Sequence, residues 1–238
     1  MRAVVLAGGK GTRLLPYTTL IPKPLVPIGG KYSILEIVLI QLRSAGFTHV
    51  TLAVNHLANL VIAYFGDGAR WALKLDYSIE DRPLSTIGPL TLIKDLPENF
   101  LVMNGDILCN LDYRAFYDRH VAEGCDVSVA AYKRSVTVDF GVLSYDEASG
   151  RLERFAEKPQ YDFDVSMGVY CLRRSVVDDL VTGEAYGFDN LMLDSIKNGR
   201  LIRIRPFSGH WLDIGRPEDY QTANEQFPSL RKELGIPE

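Results

Sequence analysis

The sequence predicts a single-domain α/β fold, in which helices flank a mixed, mostly parallel sheet that is joined to a smaller antiparallel part. In the first half, the short apolar runs "MRAVVLA", "HVTLAV" and "FLVMN" alternate with segments of helical periodicity. This alternation is typical of parallel strands joined by right-handed crossovers. In the second half, "DVSVAAYKR", "FGVLSYD", "RLERFAEK" and "VSMGVYCL" follow one another closely, which predicts antiparallel pairing. Because no linker or repeat interrupts the 238 residues, we expect one domain over 1–238.

The helices are predicted by periodicity and by their end signals. Within "SILEIVLIQLRSAG", apolar residues recur at helical spacing from Leu35 to Leu42. Ser33 and Glu36 stand in capping-box spacing at the start of this segment, and Gly46 follows its end. Similar signals predict helices in "HLANLVIAYFGDG", "YRAFYDRHVAEG", "FDNLMLDSIKNG" and "PEDYQTANEQF".

Composition argues against several classes of protein. A net charge of −4 and a pI of about 5.6 disfavour a surface that wraps nucleic acid. The three cysteines form no C-x-x-C pair, so we expect a reducing compartment rather than a disulfide framework or structural zinc. No signal-peptide pattern is present, and the apolar run "ILEIVLIQL" contains Glu36 and is too short for a bilayer. We therefore expect a soluble cytoplasmic protein without a membrane partner, and a homo-oligomer is left open.

The connection after the first strand, "LAGGKGTRLLPYTTLIPKPLVP" (residues 6–27), is unusually long and rich in glycine, proline and cations. Glycines permit the backbone to approach a phosphate closely, and successive free N–H groups form an anion-binding nest. Arg13 follows the glycines, and Lys23 lies between two prolines that restrict its backbone. These features predict a phosphate-binding loop.

Two familiar phosphate motifs do not fit this loop. The G-x-x-x-x-G-K-[ST] pattern would need a glycine in place of Val4 and a hydroxyl residue in place of Gly11. The G-x-G-x-x-G pattern has Leu14 in its third glycine position, and the next helix begins only near Ser33. In an open parallel sheet, ligands bind beyond the carboxyl ends of the strands, where we expect this loop, "NGD" and "WLDIGRP".

The loop closely resembles the signature of the sugar-1-phosphate nucleotidyltransferases, the pyrophosphorylases that make nucleotide sugars. The resemblance extends to "NGD", "EKP" and "WLDIGRPEDY", covers nearly the whole chain, and is greatest to mannose-1-phosphate guanylyltransferase-like members. It implies the Rossmann-like nucleotide-diphospho-sugar transferase fold, with a nucleotide-binding part at about 1–110 and a sugar-phosphate-binding part at about 111–226. The hexapeptide periodicity of a left-handed β-helix is absent, so we expect no C-terminal β-helix domain.

The resemblance implies condensation of an NTP with a sugar 1-phosphate to an NDP-sugar and pyrophosphate. It implies that Arg13 neutralises the departing pyrophosphate and that Lys23 contacts the reacting phosphates, roles that suit a guanidinium fork and an ammonium point charge. Asp106 and Asp213 stand where the family shares a magnesium ion, so we expect Mg²⁺ as the cofactor. The nucleotide-binding residues implied are Leu6, Ala7, Gly8, Gly9, Gly11, Thr12, Glu80, Ser85, Gly88 and Asn104.

The sugar side is implied by the same resemblance. Lys158 is expected to hold the sugar phosphate, Glu157 to accept sugar hydroxyl hydrogens, and the chain at Gly141, Gly168 and Val169 to lie against the ring. The segment "VSMG" departs from the usual family triplet. A mannose- or heptose-like 1-phosphate is therefore expected, with a cyclitol phosphate as an alternative.

The base-reading segment of the family corresponds to "IEDRPLSTIGPL", in which Ser85 and Ile87 replace the usual glycine and alanine. A carboxylate at Glu80 accepts N1–H and N2–H of guanine together, whereas it would repel the ring acceptors beside the amino groups of adenine and cytosine. The sequence favours GTP, and the alternative is a UTP- or dTTP-using hexose-1-phosphate nucleotidyltransferase.

Two other classes of protein compete with this interpretation. A GT-A glycosyltransferase would carry a D-x-D metal motif, whereas "NGD" supplies one carboxylate and "PKPLVP" has no place in that fold. A non-catalytic nucleotide-sugar-binding module is disfavoured because Arg13, Lys23, Asp106 and Asp213 are all present. Metal-dependent release of pyrophosphate would separate such a module from the enzyme.

Overall fold

The computed structural model describes residues 1–236. Its strands are β1 (Arg2–Leu6), β2 (Pro27–Ile28), β3 (Tyr32–Ser33), β4 (His49–Val54), β5 (Lys74–Ile79), β6 (Asn99–Asn104), β7 (Ile107–Cys109), β8 (Val127–Thr137), β9 (Val142–Tyr145), β10 (Leu152–Ala156), β11 (Gln160–Arg173), β12 (Ile202–Phe207) and β13 (Trp211–Asp213). Its helices are α1 (Ile34–Ser44), α2 (Ala58–Phe65), α3 (Tyr113–Ala122), α4 (Ser175–Asp178), α5 (Phe188–Lys197) and α6 (Pro217–Leu230).

The central sheet has seven strands in the order β12-β8-β11-β6-β1-β4-β5. β1 pairs in parallel with β4 and β6, and the pairs β4–β5 and β8–β12 are also parallel. β11 runs antiparallel to β6 and β8. Three small antiparallel pairs, β2–β3, β7–β13 and β9–β10, complete the strands. The predicted mixed, mostly parallel sheet with a smaller antiparallel part is confirmed.

Apolar residues cover both faces of the sheet. Alternation along β1 directs Val5 into the cluster that contains Leu39 of α1, and Val4 into the opposite cluster that contains Leu191 of α5. A third cluster packs Leu14 of the long loop against residues of β13, its following turn and α6. The long loop is therefore anchored by its own apolar residues while its glycines remain beside the strand ends.

The start of α1 has the predicted capping box. Ser33 Oγ accepts a hydrogen bond from Glu36 N at 3.2 Å, and Glu36 Oε2 accepts one from Ser33 N at 3.4 Å. After the helix, Gly46 has a φ of 86°, in the left-handed region that ends many helices.

The structure differs from the sequence prediction at several places, among them the unpredicted elements β7 and α4. The long loop contains 3-10 turns at Thr12–Leu14 and Lys23–Leu25 and ends in the β2–β3 hairpin, so it is more ordered than expected. β5 was not predicted, because its sequence "KLDYSI" mixes polar and apolar residues as a half-exposed edge strand does. Helix α6 continues through Pro228, beyond its predicted end. Within residues 1–236, no helix is both long and apolar enough to cross a membrane.

Candidate active site

The glycine-rich loop leaves β1 at the carboxyl edge of the sheet and turns back on itself. A Cβ at Gly8 would lie 2.9 Å from Glu80 Oε1 and 3.2 Å from Asn55 Cβ, so a larger residue here would displace the Glu80 carboxylate and press on Asn55. Gly11 has a φ of 65°, which favours glycine, and its carbonyl accepts a hydrogen bond from Thr18 Oγ1 at 2.8 Å. The loop backbone is thereby held against the strand ends.

Lys23 and Asp106 form an ion pair between the loop and the turn that follows β6. Their side chains are 12% and 24% exposed, so the two charges interact in partly dehydrated surroundings, where electrostatic forces are stronger than in water. The structure thus brings together two of the residues that the sequence proposed for the reacting phosphates and the metal.

Asp213 lies next to this pair. β13 pairs with β7 so that Asp213 is opposite Ile107, and Ile214 N donates a hydrogen bond to the Asp106 carbonyl at 3.1 Å. The pKa of Asp213 is raised by burial and then by the Asp106 carboxylate, whereas the charges of Lys23 and Arg13 act to lower it. The Asp106 carboxylate is close enough to disfavour the charge of Asp213, and a cation bound between the two side chains would relieve this repulsion.

The fit to a metal ion rests on Asp106. Its Oδ1 atom is buried and has no hydrogen-bond partner within residues 1–236. The same described residues contain no group of three or more His, Cys, Asp or Glu side chains that could hold a metal by themselves. Magnesium is commonly bound by one or two carboxylates together with substrate phosphates and water. Asp106 and Asp213 fit that mode of binding.

A cavity of about 450 Å³ lies between the loop and the segment after β5. We call it the base cavity, because it contains Glu80 and Ser85, which the sequence resemblance assigns to the nucleotide base. Glu80 Oε2 accepts a hydrogen bond from Leu84 N at 3.1 Å; burial raises the pKa of Glu80, and this hydrogen bond opposes the rise. Ser85 has a φ of 65°, although it is not glycine, and so holds a conformation that side chains disfavour. The predicted nucleotide residues that line this cavity are Leu6, Gly8, Gly9, Glu80, Ser85 and Asn104.

A second cavity of about 270 Å³, the loop cavity, adjoins the base cavity. The predicted residues that line it are Leu6, Ala7, Gly9, Gly11, Thr12, Arg13, Lys23 and Asp106. Gly88 lines neither cavity. A Cβ at Gly88 would lie 2.5 Å from the Glu184 carbonyl oxygen, so this glycine permits the segment after Ser85 to pack against residues near α5.

The predicted sugar-phosphate residues fall into two groups. Gly168, with a φ of 73°, lies beside the base cavity, because a Cβ there would be 2.7 Å from Asn104 Nδ2. Val169 is fully buried in the core, so only its backbone could reach a ligand. The rest of this set lies at or beside the exposed β9–β10 hairpin and lines neither cavity: Gly141, Glu157 and Lys158.

Sequence reasoning missed several residues at these cavities. Lys10 lines both, and its position between two glycines was an available signal. Asn55 follows β4, lines the base cavity and donates a hydrogen bond to the Glu80 carbonyl at 3.0 Å. A polar residue just after a buried strand is the signal that also identified Asp106. A third cavity, of about 380 Å³, contains Asp213 and adds Arg134, which no sequence motif marks.

The fold and the site define an α/β protein with a glycine-rich loop and two neighbouring aspartates at the carboxyl edge of its sheet. The model of the nucleotidyl transferase family matches residues 2–229, and the chain belongs to this family. The family membership and fold that the resemblance implied are confirmed.

The chain is also similar to individual proteins and solved structures. The chain is 32% identical to mannose-1-phosphate guanyltransferase of Schizosaccharomyces pombe, over 98% of this chain and 66% of that protein. It is 32% identical to mannose-1-phosphate guanyltransferase beta-B of Xenopus laevis, over 94% of this chain and 63% of that protein. The chain thus spans 63–66% of the length of these two relatives. The crystal structure of HddC from Yersinia pseudotuberculosis complexed with GMP-PN has a TM-score of 0.71 and 28% identity, and covers 95% of this chain and 99% of HddC.

Proposed function

We propose that the protein is a Mg²⁺-dependent nucleotidyltransferase that condenses GTP with a mannose- or heptose-like sugar 1-phosphate to give an NDP-sugar and pyrophosphate. The observation that carries this proposal is the Lys23–Asp106 ion pair beside Asp213 at the glycine-rich loop. The names of the two curated relatives and the GMP-PN in the HddC structure support guanine and mannose 1-phosphate as the first substrates to test.

In the proposed reaction, a phosphate oxygen of the sugar 1-phosphate attacks the α-phosphorus of the NTP. The bond from the α-phosphorus to the oxygen that bridges to the β-phosphorus breaks, and its electron pair leaves with pyrophosphate. Arg13 and the backbone N–H groups of the loop stabilise the charge on that leaving group, while Lys23 contacts the reacting phosphates. Bound by Asp106 and Asp213, Mg²⁺ would supply charge neutralisation at the same phosphates.

Base selection is assigned to Glu80. Its carboxylate lies in the base cavity, close to the backbone at Gly8, and one of its oxygens is oriented by Leu84 N. Guanine offers two adjacent N–H donors that match a carboxylate, which is the physical basis for preferring GTP. In this proposal, residues at about 1–110 bind the nucleotide and residues at about 111–226 bind the sugar phosphate.

The test is pyrophosphate release with each of four NTPs against a panel of sugar 1-phosphates, with Mg²⁺ and with a chelator. We expect release with GTP and a mannose- or heptose-like 1-phosphate, and none with the chelator. Release with UTP or dTTP alone would replace the base assignment while keeping the reaction class. Folded protein that binds GTP but releases no pyrophosphate with any acceptor would support the non-catalytic binding module.

A further inference from the structure

The third cavity, which we call the arginine cavity, has a distinctive set of cations. It lies between the glycine-rich loop, β8, β13 and the start of α6, and its volume is about 380 Å³. Arg13, Arg134 and Arg216 all line it. Within residues 1–236, none of these three guanidinium groups has a hydrogen bond or salt bridge to another side chain. Three unpaired guanidinium groups around one space favour an anion as the occupant.

The acidic side chains of the arginine cavity are already engaged. Asp219 Oδ2 accepts hydrogen bonds from Arg216 N at 2.8 Å and from Gly215 N at 3.2 Å, so it caps the start of α6. Asp213 belongs to the carboxylate pair with Asp106. The Asp219 carboxylate is therefore held by backbone N–H groups, and the guanidinium groups are the part of the cavity left for a ligand.

The three cavities follow one another in a fixed order. The base cavity and the loop cavity share Leu6, Gly9, Lys10 and Asp106. The loop cavity and the arginine cavity share Arg13 and Gly215, whereas no described residue lines both the base cavity and the arginine cavity. A nucleotide with its base at Glu80 and its phosphates along the loop would therefore point its terminal phosphates towards Arg13.

The expected acceptor position at Gly168 lies between the base cavity and the arginine cavity. A Cβ at Gly168 would lie 2.7 Å from Asn104 Nδ2 of the base cavity, and Trp211 of the arginine cavity donates a hydrogen bond through Nε1 to the Met167 carbonyl at 3.2 Å. An in-line displacement places the nucleophile and the leaving group on opposite sides of the phosphorus. Pyrophosphate, which carries more negative charge than a sugar phosphate, would leave past Arg13 into the space that holds the other two arginines.

We propose that the arginine cavity is a binding site for the departing pyrophosphate, and that Arg134 and Arg216 bind it after it passes Arg13. This inference rests on the proposed function and refines it at one point: Arg134 and Arg216 lie within the range 111–226 that is assigned to the sugar phosphate, but here they bind the pyrophosphate product. Arg134 and Arg216 are binding residues for the product and do not contact the reacting α-phosphorus.

The test uses the reverse reaction, in which pyrophosphate and NDP-sugar are the substrates. In the Arg134→Ala and Arg216→Ala variants we expect the KM for pyrophosphate to rise about tenfold, with the KM for the NDP-sugar changed less than about twofold. Arg216→Lys keeps the positive charge but loses the paired N–H donors of the guanidinium group. Its KM for pyrophosphate should therefore lie between those of wild type and Arg216→Ala. Lys133→Ala is the matched control, because Lys133 lies next to Arg134 on β8 but does not line the cavity.

A rise in the KM for the NDP-sugar instead would overturn the assignment of the cavity to pyrophosphate, and would indicate that the cavity binds the sugar phosphate. Unchanged KM values in both alanine variants would also overturn it. Calorimetric titration of the intact protein with pyrophosphate separates this inference from the proposed function, because it needs no turnover. If the wild type lacks activity, the proposed function fails. Pyrophosphate binding that is weakened by the two substitutions would still support the pyrophosphate site. Unchanged binding would refute that site.

Discussion

At the scale of single residues, the ion pair between Lys23 and Asp106 is the most direct test of the active site. Asp106→Asn keeps the shape of the side chain but removes the negative charge that pairs with Lys23 and that would bind the proposed metal. We expect the maximal rate at subsaturating magnesium to fall about 10²–10³-fold, as is common when one preorganised electrostatic group is removed. Steady-state release of pyrophosphate measures this, with circular dichroism to show that the fold is kept.

Asp118→Asn is a suitable control for this variant. Asp118 also forms an ion pair, with Arg114 on α3, but that pair is exposed and remote from the three cavities. We expect a rate like that of wild type in this control. A similar wild-type rate in Asp106→Asn would remove Asp106 from the catalytic site.

A second residue-scale prediction concerns the choice of base. In Glu80→Gln, the amide oxygen can still accept the hydrogen bond from Leu84 N, but the side chain no longer presents two acceptors to guanine. We expect the ratio of kcat/KM for GTP to that for UTP to fall about tenfold, which corresponds to the loss of one good hydrogen bond. Asp81→Asn, on the exposed neighbour, should leave this ratio unchanged. An unaltered ratio in Glu80→Gln would exclude Glu80 from base reading.

At the scale of elements, the capping box of α1 predicts a measurable loss of stability. Ser33→Ala removes the acceptor for Glu36 N and leaves that buried donor without its partner. We expect the free energy of unfolding to fall by about 0.5–2 kcal/mol, the range found for such caps. Urea unfolding measures the change, and Ser44→Ala at the exposed far end of α1 is the control. Equal losses in the two variants would mean that the cap contributes nothing specific.

At the scale of the whole molecule, the sequence predicts those parts of the fold whose signals are local. β1, β4 and β6 are buried on both faces and therefore appear as continuous apolar runs, whereas the edge strand β5 does not. Asp106 and Asp213 could be proposed from their motifs and strand ends. Arg134 could not, because its place beside α6 depends on how β8 packs relative to β13, which no local pattern encodes.

The whole molecule also has a predicted pH response that depends on His120. This side chain is fully buried between α3 and the sheet, and a 2.9 Å hydrogen bond joins its Nδ1 to Ser128 Oγ. Burial, followed by the charges of Arg173 and Arg205, lowers the pKa of His120 to about 4. In the unfolded chain its pKa is about 6.5, so between these values the unfolded state binds more protons than the folded state.

The neutral form of His120 therefore makes its full contribution to the free energy of unfolding above about pH 6.5. This contribution, about 3 kcal/mol in total, is lost as the pH falls towards 4. Other groups titrate in the same range, so the readout is the difference in free energy of unfolding between wild type and His120→Gln, from urea titrations at several pH values. We expect wild type to lose stability more steeply than the variant as the pH falls from 6.5 to 4. In His56→Gln, which retains His120, the steep loss should remain. Parallel curves for wild type and His120→Gln would show that His120 titrates in the folded protein as it does in the unfolded chain.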